Sequence, residues 1–367
     1  MRLQEDKKAR GSMNMESKTK RVQNYLKAAH FQHPEWIPCR VGIMPATWRK
    51  YREEVEEIVL RHAKIFPGFK KGARDFDFLG DKRYKKGQFT DNWGCTWANI
   101  AEGLASVVVG HPLEDWNDFG TYQAPDPLTE GDGCGSPPDW KKIEKNLKQV
   151  KQNGGLAKGS LRHGFMYMRL WYLRGFENFM LDIATDEPKL RQLIKIVLDY
   201  NMRLIRKYLH MGVEYMYFGD DLGLQDRLPI SPEKFRMYLK PCYAQMFGLC
   251  QSSGAGVYLH SDGHILEIIP DLIECGVSII NPQTRANTLE GLARVARGKV
   301  CINLDLDRQL FPFATPEEIK AHIKEAVDKL NLPQGGLMLS ASCLPDIPLE
   351  NIEAICETFE EVGGPSV

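Results

Sequence analysis

Residues 257–281 read VYLHSDGHILEIIPDLIECGVSIIN, and this stretch decides the fold class. It opens with a short apolar run, passes through a polar loop into an amphipathic segment, and ends in a second apolar run. That order is typical of a βαβ unit with two parallel strands and a right-handed crossover. In such units the chemistry sits in the loops at the carboxyl ends of the strands. His260, Asp262 and Asn281 all stand at those ends.

The alternation of strand and helix patterns continues through the second half of the chain. Strands are predicted at residues 213–218, 257–259, 277–281, 300–304 and 337–339, each followed by a helical pattern. Alternating units of this kind predict an α/β fold, and no glycine-rich phosphate loop follows any of the predicted strands. We therefore predict a distorted (β/α)8 TIM barrel with N-terminal insertions rather than a nucleotide-binding open sheet.

The first half of the chain is less regular. A strand is predicted at residues 36–43, and helices are predicted at residues 18–30, 47–64, 139–152 and 187–211. Residues 70–98 are rich in aromatic residues and glycine, which suggests an irregular hairpin that covers a pocket. We expect residues 1–17 to be a disordered segment or a cloning scar, and residues 18–367 to form one domain.

Composition excludes several classes of function. The 367 residues carry 48 basic and 48 acidic side chains, so no global charge favours nucleic acid or an anionic membrane. No apolar run is long enough to cross a bilayer, and the polar first 20 residues show no signal peptide. Nine cysteines without a CxxC pair indicate reduced thiols, so we expect a cytoplasmic protein.

Side chains that can act as acids, bases or metal ligands recur at the predicted strand ends. They are Asp220, Asp221, His260, Asp262, Asn281, Asp305 and Cys343. Taken singly, an aspartate at such a position is explained equally well as the cap of a turn, and Cys343 as a packed thiol. In a barrel, however, these loops converge on one mouth, so the recurrence favours a shared site.

His260, Asp262 and Cys343 form the sharpest subset. Imidazole, carboxylate and thiolate are ligand types that Zn²⁺ accepts, and three protein ligands with an open position describe a catalytic zinc site. The alternative is that His260 acts as a general acid or base without a metal.

Several longer segments resemble the uroporphyrinogen decarboxylase superfamily, over about residues 85–362. They read DNWGCTW from Asp91, GDDLG from Gly219, ISPE from Ile230, LHSDG from Leu259, GVSIINP from Gly276, LD from Leu304 and PLENI from Pro348. The resemblance implies a distorted (β/α)8 barrel with its site at the carboxyl-terminal mouth. It also implies one of two chemistries, which are decarboxylation of a tetrapyrrole without a cofactor and zinc-dependent methyl transfer involving a corrinoid protein.

Two departures separate this chain from the decarboxylases. The arginine-containing segment near the N-terminus keeps only Arg40, and the late Gly-His-Gly is replaced by residues 342–344, Ser-Cys-Leu. A pocket for a substrate with many carboxylates needs several arginines. The zinc methyltransferases of the superfamily carry a His-x-Cys motif followed by a distant Cys. This chain resembles them at His260 and Cys343, while Asp262 replaces the middle Cys. A carboxylate is a harder ligand, which suits activation of a methoxyl oxygen.

The resemblance therefore favours an O-demethylase methyltransferase component. It would move a methyl group from a small methylated substrate, plausibly an aryl methyl ether, to the cobalt of a separate corrinoid protein. Zinc would be held by His260, Asp262 and Cys343, and the expected catalytic residues are Asp220, Asp221 and His260. The expected substrate-binding residues are Trp93, His163, Tyr167, Asn281 and Asp305. A cofactor-free lyase of decarboxylase type and a non-catalytic binding barrel stay open as alternatives.

Overall fold

The computed structural model describes residues 17–367. The predicted N-terminal disordered segment or cloning scar therefore lies outside the described residues, apart from Ser17. The strands are β1 (Ile37–Ile43), β2 (Gly87–Thr90), β3 (Thr96–Asn99), β4 (Val107–Gly110), β5 (Lys158–Ser160), β6 (Tyr215–Gly219), β7 (Gly256–Ser261), β8 (Ile279–Pro282), β9 (Cys301–Asp305), β10 (Leu337–Cys343) and β11 (Gly363–Pro365).

The helices follow the predicted positions in most of the chain. They are α1 (Lys20–Ala29), α2 (Pro45–Arg61), α3 (Trp140–Gln152), α4 (Tyr167–Arg174), α5 (Phe176–Thr185), α6 (Pro188–His210), α7 (Pro232–Tyr238), α8 (Lys240–Ser252), α9 (Ile269–Cys275), α10 (Thr284–Asn287), α11 (Leu289–Val295), α12 (Pro316–Leu330) and α13 (Leu349–Val362). Local chemistry explains several starts. Thr315 and Glu318 form a reciprocal capping box before α12, for example, with Pro316 in the first turn.

The main sheet has eight strands in the order β11-β1-β10-β9-β8-β7-β6-β5, and every pair in it is parallel. This confirms the α/β class and the parallel sheet. The sheet is curled, but within residues 17–367 no strand pairing joins β5 to β1 or β11, so a fully closed barrel is not seen. The strands between β1 and β5 in sequence form a separate antiparallel sheet, β2-β3-β4, instead of filling the gap.

Side-chain alternation along the strands divides the interior from the helix layer. Outward residues such as Leu259, Ile280, Ile302 and Leu339 belong to the large core shared with the helices. Inward residues at the strand starts, including Tyr215, Ile279 and Cys301, pack with α1 in a second cluster. Helix α1 therefore covers the amino-terminal end of the sheet and leaves its carboxyl end for the site. No helix of residues 17–367 is both long and apolar enough to span a membrane.

Two boundaries differ from prediction in ways that matter. The helix predicted from Ser231 to about residue 252 is two helices, α7 and α8, which meet at Leu239 just before Pro241. The strand predicted at residues 337–339 continues to Cys343, because β10 pairs with β1 along its whole carboxyl half. The longer strand fixes which way each of its last side chains points.

Candidate active site

His260 lies at the centre of a polar cluster at the carboxyl end of the sheet. Its Nδ1 is 2.8 Å from Asn281 Oδ1, and Asn281 donates its own amide hydrogens to the Asn303 carbonyl oxygen and to Ser340. This amide orientation makes Asn281 Oδ1 the acceptor, so His260 Nδ1 carries a proton. His260 Nε2 faces carboxylates, 3.1 Å from Asp262 Oδ1 and 4.0 Å from Asp221 Oδ1.

The carboxylates around His260 stabilise its charged form. Burial alone lowers the pKa of His260, but Asp262, Asp221 and Asp305 together raise it to about 9. Asp262 shows the complementary effect, because burial favours its neutral form while His260 and Arg308 lower its pKa to about 2. Arg308 Nη2 donates to the second oxygen of Asp262. His260, Asp262 and Arg308 thus form a chain of alternating charge.

Asp221 connects His260 to a second histidine. Its Oδ2 is 3.1 Å from His163 Nε2, and its Oδ1 accepts a hydrogen bond from the Asp262 backbone at 3.0 Å. The rings of His163 and His260 lie 5.7 Å apart between centroids. One ligand atom from each of His163, Asp221 and His260 lies within 4.8 Å of the others, which is a spacing that could hold a metal ion.

Asp220 points the other way, although it was predicted to be catalytic beside Asp221. It is fully buried and accepts hydrogen bonds from the backbone N–H groups of Met166, Tyr167 and Met168, and from the Tyr243 hydroxyl. Burial raises the pKa of Asp220 to about 6, against these hydrogen bonds. Consecutive residues at a strand end project to opposite sides. Asp220 therefore stabilises the start of α4, and Asp221 alone reaches the mouth.

Cys343 is not brought to His260 and Asp262. Ser342 lines the interior cavity, whereas Cys343 is completely buried in the core between sheet and helices. Its neighbour there is Cys356 of α13, whose pKa is raised by burial and, to a smaller extent, by Cys343. Burial raises the pKa of Cys343 to about 12, so its thiol stays protonated. The physical reason is the extra length of β10, whose alternation turns Ser342 inward and Cys343 outward. The expected ligand set of His260, Asp262 and Cys343 is thus not assembled.

A cavity of about 250 Å³ lies beneath His260 inside the curled sheet. The charged and polar side chains that line it are Arg40, Tyr258, His260, Asn281, Asp305, Arg308, Ser340 and Ser342. The Asp305 carboxyl accepts no hydrogen bond from any described residue, and burial raises its pKa to about 6. Asp305 is therefore a proton-exchanging group that faces the cavity.

The other predicted substrate-binding residues are distributed more widely. Asn281 and Asp305 line the cavity beneath His260, while His163 and Trp93 line a second cavity of about 420 Å³. Tyr167 lies behind the site, where its ring packs against Phe179, and it lines neither cavity.

Arg308 was not among the predicted site residues, and its position three residues after the strand-end Asp305 was the one available signal.

Comparisons with known proteins bear on this architecture. A family model described as uroporphyrinogen decarboxylase (URO-D) matches residues 165–362, more than half of the chain. The chain belongs to this family. No curated protein matches it.

Two solved structures are similar to this chain to different degrees. The methyltransferase from Methanosarcina mazei has 18% sequence identity and a TM-score of 0.62, covering 94% of this chain and 99% of that one. A modular endo-β-1,4-mannanase from Cellulomonas fimi has 10% identity and a TM-score of 0.39, covering 62% of this chain and 60% of that one. The first likeness shows a shared fold over nearly the full chain, and the second is too distant to inform the site.

Proposed function

We propose that this protein is a methyltransferase that moves a methyl group from a small methylated substrate to the cobalt of a corrinoid on a separate protein. The observation that carries the proposal is the convergence of His163, Asp221 and His260 at the carboxyl end of the sheet, above a cavity that His260 also lines. Membership of the URO-D family and the fold shared with the Methanosarcina mazei methyltransferase support the same reaction class.

The donor set at the mouth fits a zinc ion. Two imidazoles and one carboxylate are ligand types found in catalytic zinc sites, where three protein groups leave a fourth position open. We propose that His163, Asp221 and His260 hold the metal, in place of the set with Cys343. Asn281 would then orient the His260 ring through Nδ1, as partners outside the ligand set do in zinc proteins. Bound there, zinc supplies Lewis-acid activation of the heteroatom that carries the methyl group.

The remaining residues of the cavity would bind the substrate and protonate its donor heteroatom. A methyl group that leaves as a cation equivalent leaves its electron pair on the donor heteroatom, and that atom then takes up a proton. Asp305 can supply this proton, since its carboxyl faces the cavity and burial raises its pKa to about 6. The methyl group itself bonds to cobalt, which donates the electron pair. An aryl methyl ether is the leading donor class, because phenolate is a competent leaving group and becomes a phenol when it takes up the proton.

A cofactor-free lyase is the second candidate, and one observation favours it. His260 Nε2 is already engaged by Asp262, and Asp262 is neutralised by Arg308. In this state His260 is an imidazolium with a pKa of about 9, which can protonate a carbanion left by decarboxylation. The two candidates differ in whether the proton on His260 or a metal occupies the space between His163, Asp221 and His260.

Elemental analysis of the purified protein, followed by activity assays, separates them. We expect about one zinc per chain in wild type, loss of zinc in His163→Ala and Asp221→Asn, and retention in Cys343→Ala as the matched control. Wild-type protein with zinc should then transfer methyl groups from methoxylated aromatics to free cob(I)alamin, followed by its absorbance. A metal-free wild type, even after incubation with zinc, would overturn the methyltransferase proposal and favour the lyase. Zinc lost only in Cys343→Ala would overturn the proposed ligand set.

A further inference from the structure

A cavity of about 420 Å³ lies beside the edge strand β5 and is larger than the one beneath His260. It is lined by the segment that follows β5, by the helix α6 and by the connection that leads into α3. The aromatic residues on its walls are Trp93, Trp140, Phe165, Tyr200 and Tyr208. We refer to this space as the aromatic cavity. The proposed function gives it no role.

Helix α6 forms one wall of the aromatic cavity. Tyr200, Leu204 and Tyr208 follow one another at intervals of four residues, so their side chains lie on one face of the helix. The two tyrosines are about 12 Å apart along the helix axis. Trp93 packs on Tyr200 with ring centroids 4.6 Å apart, and Trp140 packs on Tyr208 with centroids 5.5 Å apart. The two aromatic pairs, with Leu204 between them, give the cavity a largely apolar wall.

One end of the aromatic cavity reaches the candidate active site. His163 lines the cavity and also belongs to the cluster of ligand atoms that converges at the carboxyl end of the sheet. Asn201 Nδ2 donates to the Phe165 carbonyl oxygen at 2.7 Å, which holds this part of α6 beside the segment that carries His163. At the other end, a Cβ added to Gly159 of β5 would fall 2.8 Å from Tyr208 Cγ. The cavity therefore extends from His163 along β5 toward the amino end of the sheet.

The charged side chains on the walls of the aromatic cavity are paired within residues 17–367. The pairs are Arg83 with Asp81, Arg162 with Asp81 and Asp132, and Arg169 with Asp91. An anionic ligand would compete with these carboxylates for the guanidinium groups. A cationic ligand is not favoured either, because Arg169 already lies over the Trp93 ring, 5.1 Å from its centroid. Lys207 lies over the Trp140 ring in the same way, at 5.6 Å. A neutral ring fits these walls best.

We infer that the aromatic cavity binds the aryl group of the substrate, as a single neutral ring whose methoxyl group extends past His163 to the converging cluster. The inference rests on the proposed function for the identity of the methyl-bearing oxygen. A volume of about 420 Å³ falls within the roughly 300–1,000 Å³ of small-molecule sites, whereas about 250 Å³ falls below it. Edge-to-face and offset contacts with the wall rings favour an arene over a saturated ring.

This placement gives the two cavities different parts of one molecule. His163 lines the aromatic cavity, His260 lines the cavity beneath it, and the two imidazole rings are 5.7 Å apart. The ether oxygen then lies where the two cavities approach each other, next to the converging cluster. The aromatic cavity takes the ring, and the polar cavity beneath His260 takes the methoxyl end.

Calorimetric titration of the full chain with methoxybenzene, without added zinc or corrinoid, tests the inference. Methoxycyclohexane is the saturated counterpart of similar size, and 4-methoxybenzoate is the anionic counterpart. We expect wild type to bind methoxybenzene about 2- to 10-fold more tightly than methoxycyclohexane, which is the advantage that aromatic contacts provide. It should bind 4-methoxybenzoate no more tightly than methoxybenzene. Equal affinity for the aromatic and saturated rings, or tighter binding of the acid, would overturn the inference.

A pair of variants on α6 locates the bound ring. Leu204→Trp places an indole in the aromatic cavity, and Arg206→Trp places the same group on the exposed face of the helix as the matched control. We expect Leu204→Trp to weaken methoxybenzene binding about 10-fold or more, because the ring then has to enter an overpacked space. Arg206→Trp should leave the affinity unchanged. Unchanged affinity in a folded Leu204→Trp protein would overturn the inference, and the comparison of ligands on wild type needs no variant to fold.

The binding measurements are independent of the zinc and turnover measurements. A protein that transfers methyl groups, but whose Leu204→Trp variant binds methoxybenzene normally, keeps the proposed function and loses the aromatic cavity as the ring site. A protein that binds methoxybenzene in the aromatic cavity, but holds no zinc, keeps the ring site and loses the methyl-transfer assignment.

Discussion

The backbones of Gly223 and Gly263 lie against each other where the β6 and β7 loops cross. A Cβ on Gly263 would fall 2.2 Å from the Gly223 carbonyl oxygen, and Gly263 has a φ of +81°. The contact holds the two loops in the positions at which the Asp262 N–H donates to Asp221 Oδ1. A side chain at either glycine is therefore incompatible with the geometry of the candidate site.

We predict that Gly263→Ala destabilises the protein and dislocates the site. The steric clash and the left-handed backbone act together, so a loss of several kcal/mol in the free energy of unfolding is expected. Thermal unfolding monitored by circular dichroism measures it.

Gly254→Ala is the matched control for this substitution. Gly254 has a φ of +79° but no atom within 4 Å of the added Cβ, so it experiences the backbone strain alone. We expect a loss of about 1–2 kcal/mol there. Equal losses at the two positions would contradict the role given to the loop crossing.

The two adjacent aspartates should respond differently to substitution. The two carboxylate oxygens of Asp220 accept from four hydrogen-bond donors in the core. Asp220→Asn replaces one of these oxygens with an NH2 group that faces donors, so we predict a loss of about 1–3 kcal/mol in the free energy of unfolding. Asp221→Asn should leave unfolding nearly unchanged and abolish zinc binding and turnover. Denaturant titrations and metal analysis of both variants measure this contrast, and a destabilised Asp221→Asn with normal metal content would refute it.

The sequence predicted the fold class because strand and helix periods survive in the local pattern. It also placed Asp221, His260, Asn281 and Asp305 at strand ends, and the structure brings these four residues to the carboxyl end of the sheet. It did not separate Asp220 from Asp221, because a shift of one residue reverses the direction of a side chain and strand ends are the least certain boundaries.

Cys343 shows the same limit most clearly. A strand ending at residue 339 leaves Cys343 in a loop that can reach the mouth, whereas β10 continues to Cys343 and turns it into the core. We predict that Cys343→Ser keeps its zinc and loses about 1–3 kcal/mol of stability, because a buried hydroxyl replaces an apolar thiol. Cys343→Ala should be milder. Metal content and thermal unfolding of both variants measure this, and loss of zinc with intact folding would return Cys343 to the ligand set.

Lys158 should leave a signature in the pH dependence of stability. Its pKa is lowered to about 8 in the folded protein, against an ordinary value of 10.5. Between these values the unfolded chain binds more protons than the folded chain, so Lys158 makes the free energy of unfolding increase as pH rises from about 8 to 10. Tyrosines with raised pKa values act in the opposite direction at higher pH, so the comparison is made against Lys158→Met. We predict that the variant lacks this increase. Urea unfolding at pH 7.5 to 10 measures the difference, with Lys145→Met as the charge-matched control because Lys145 is exposed on α3. Parallel pH profiles for wild type and Lys158→Met would show that Lys158 is solvated and titrates as an ordinary lysine.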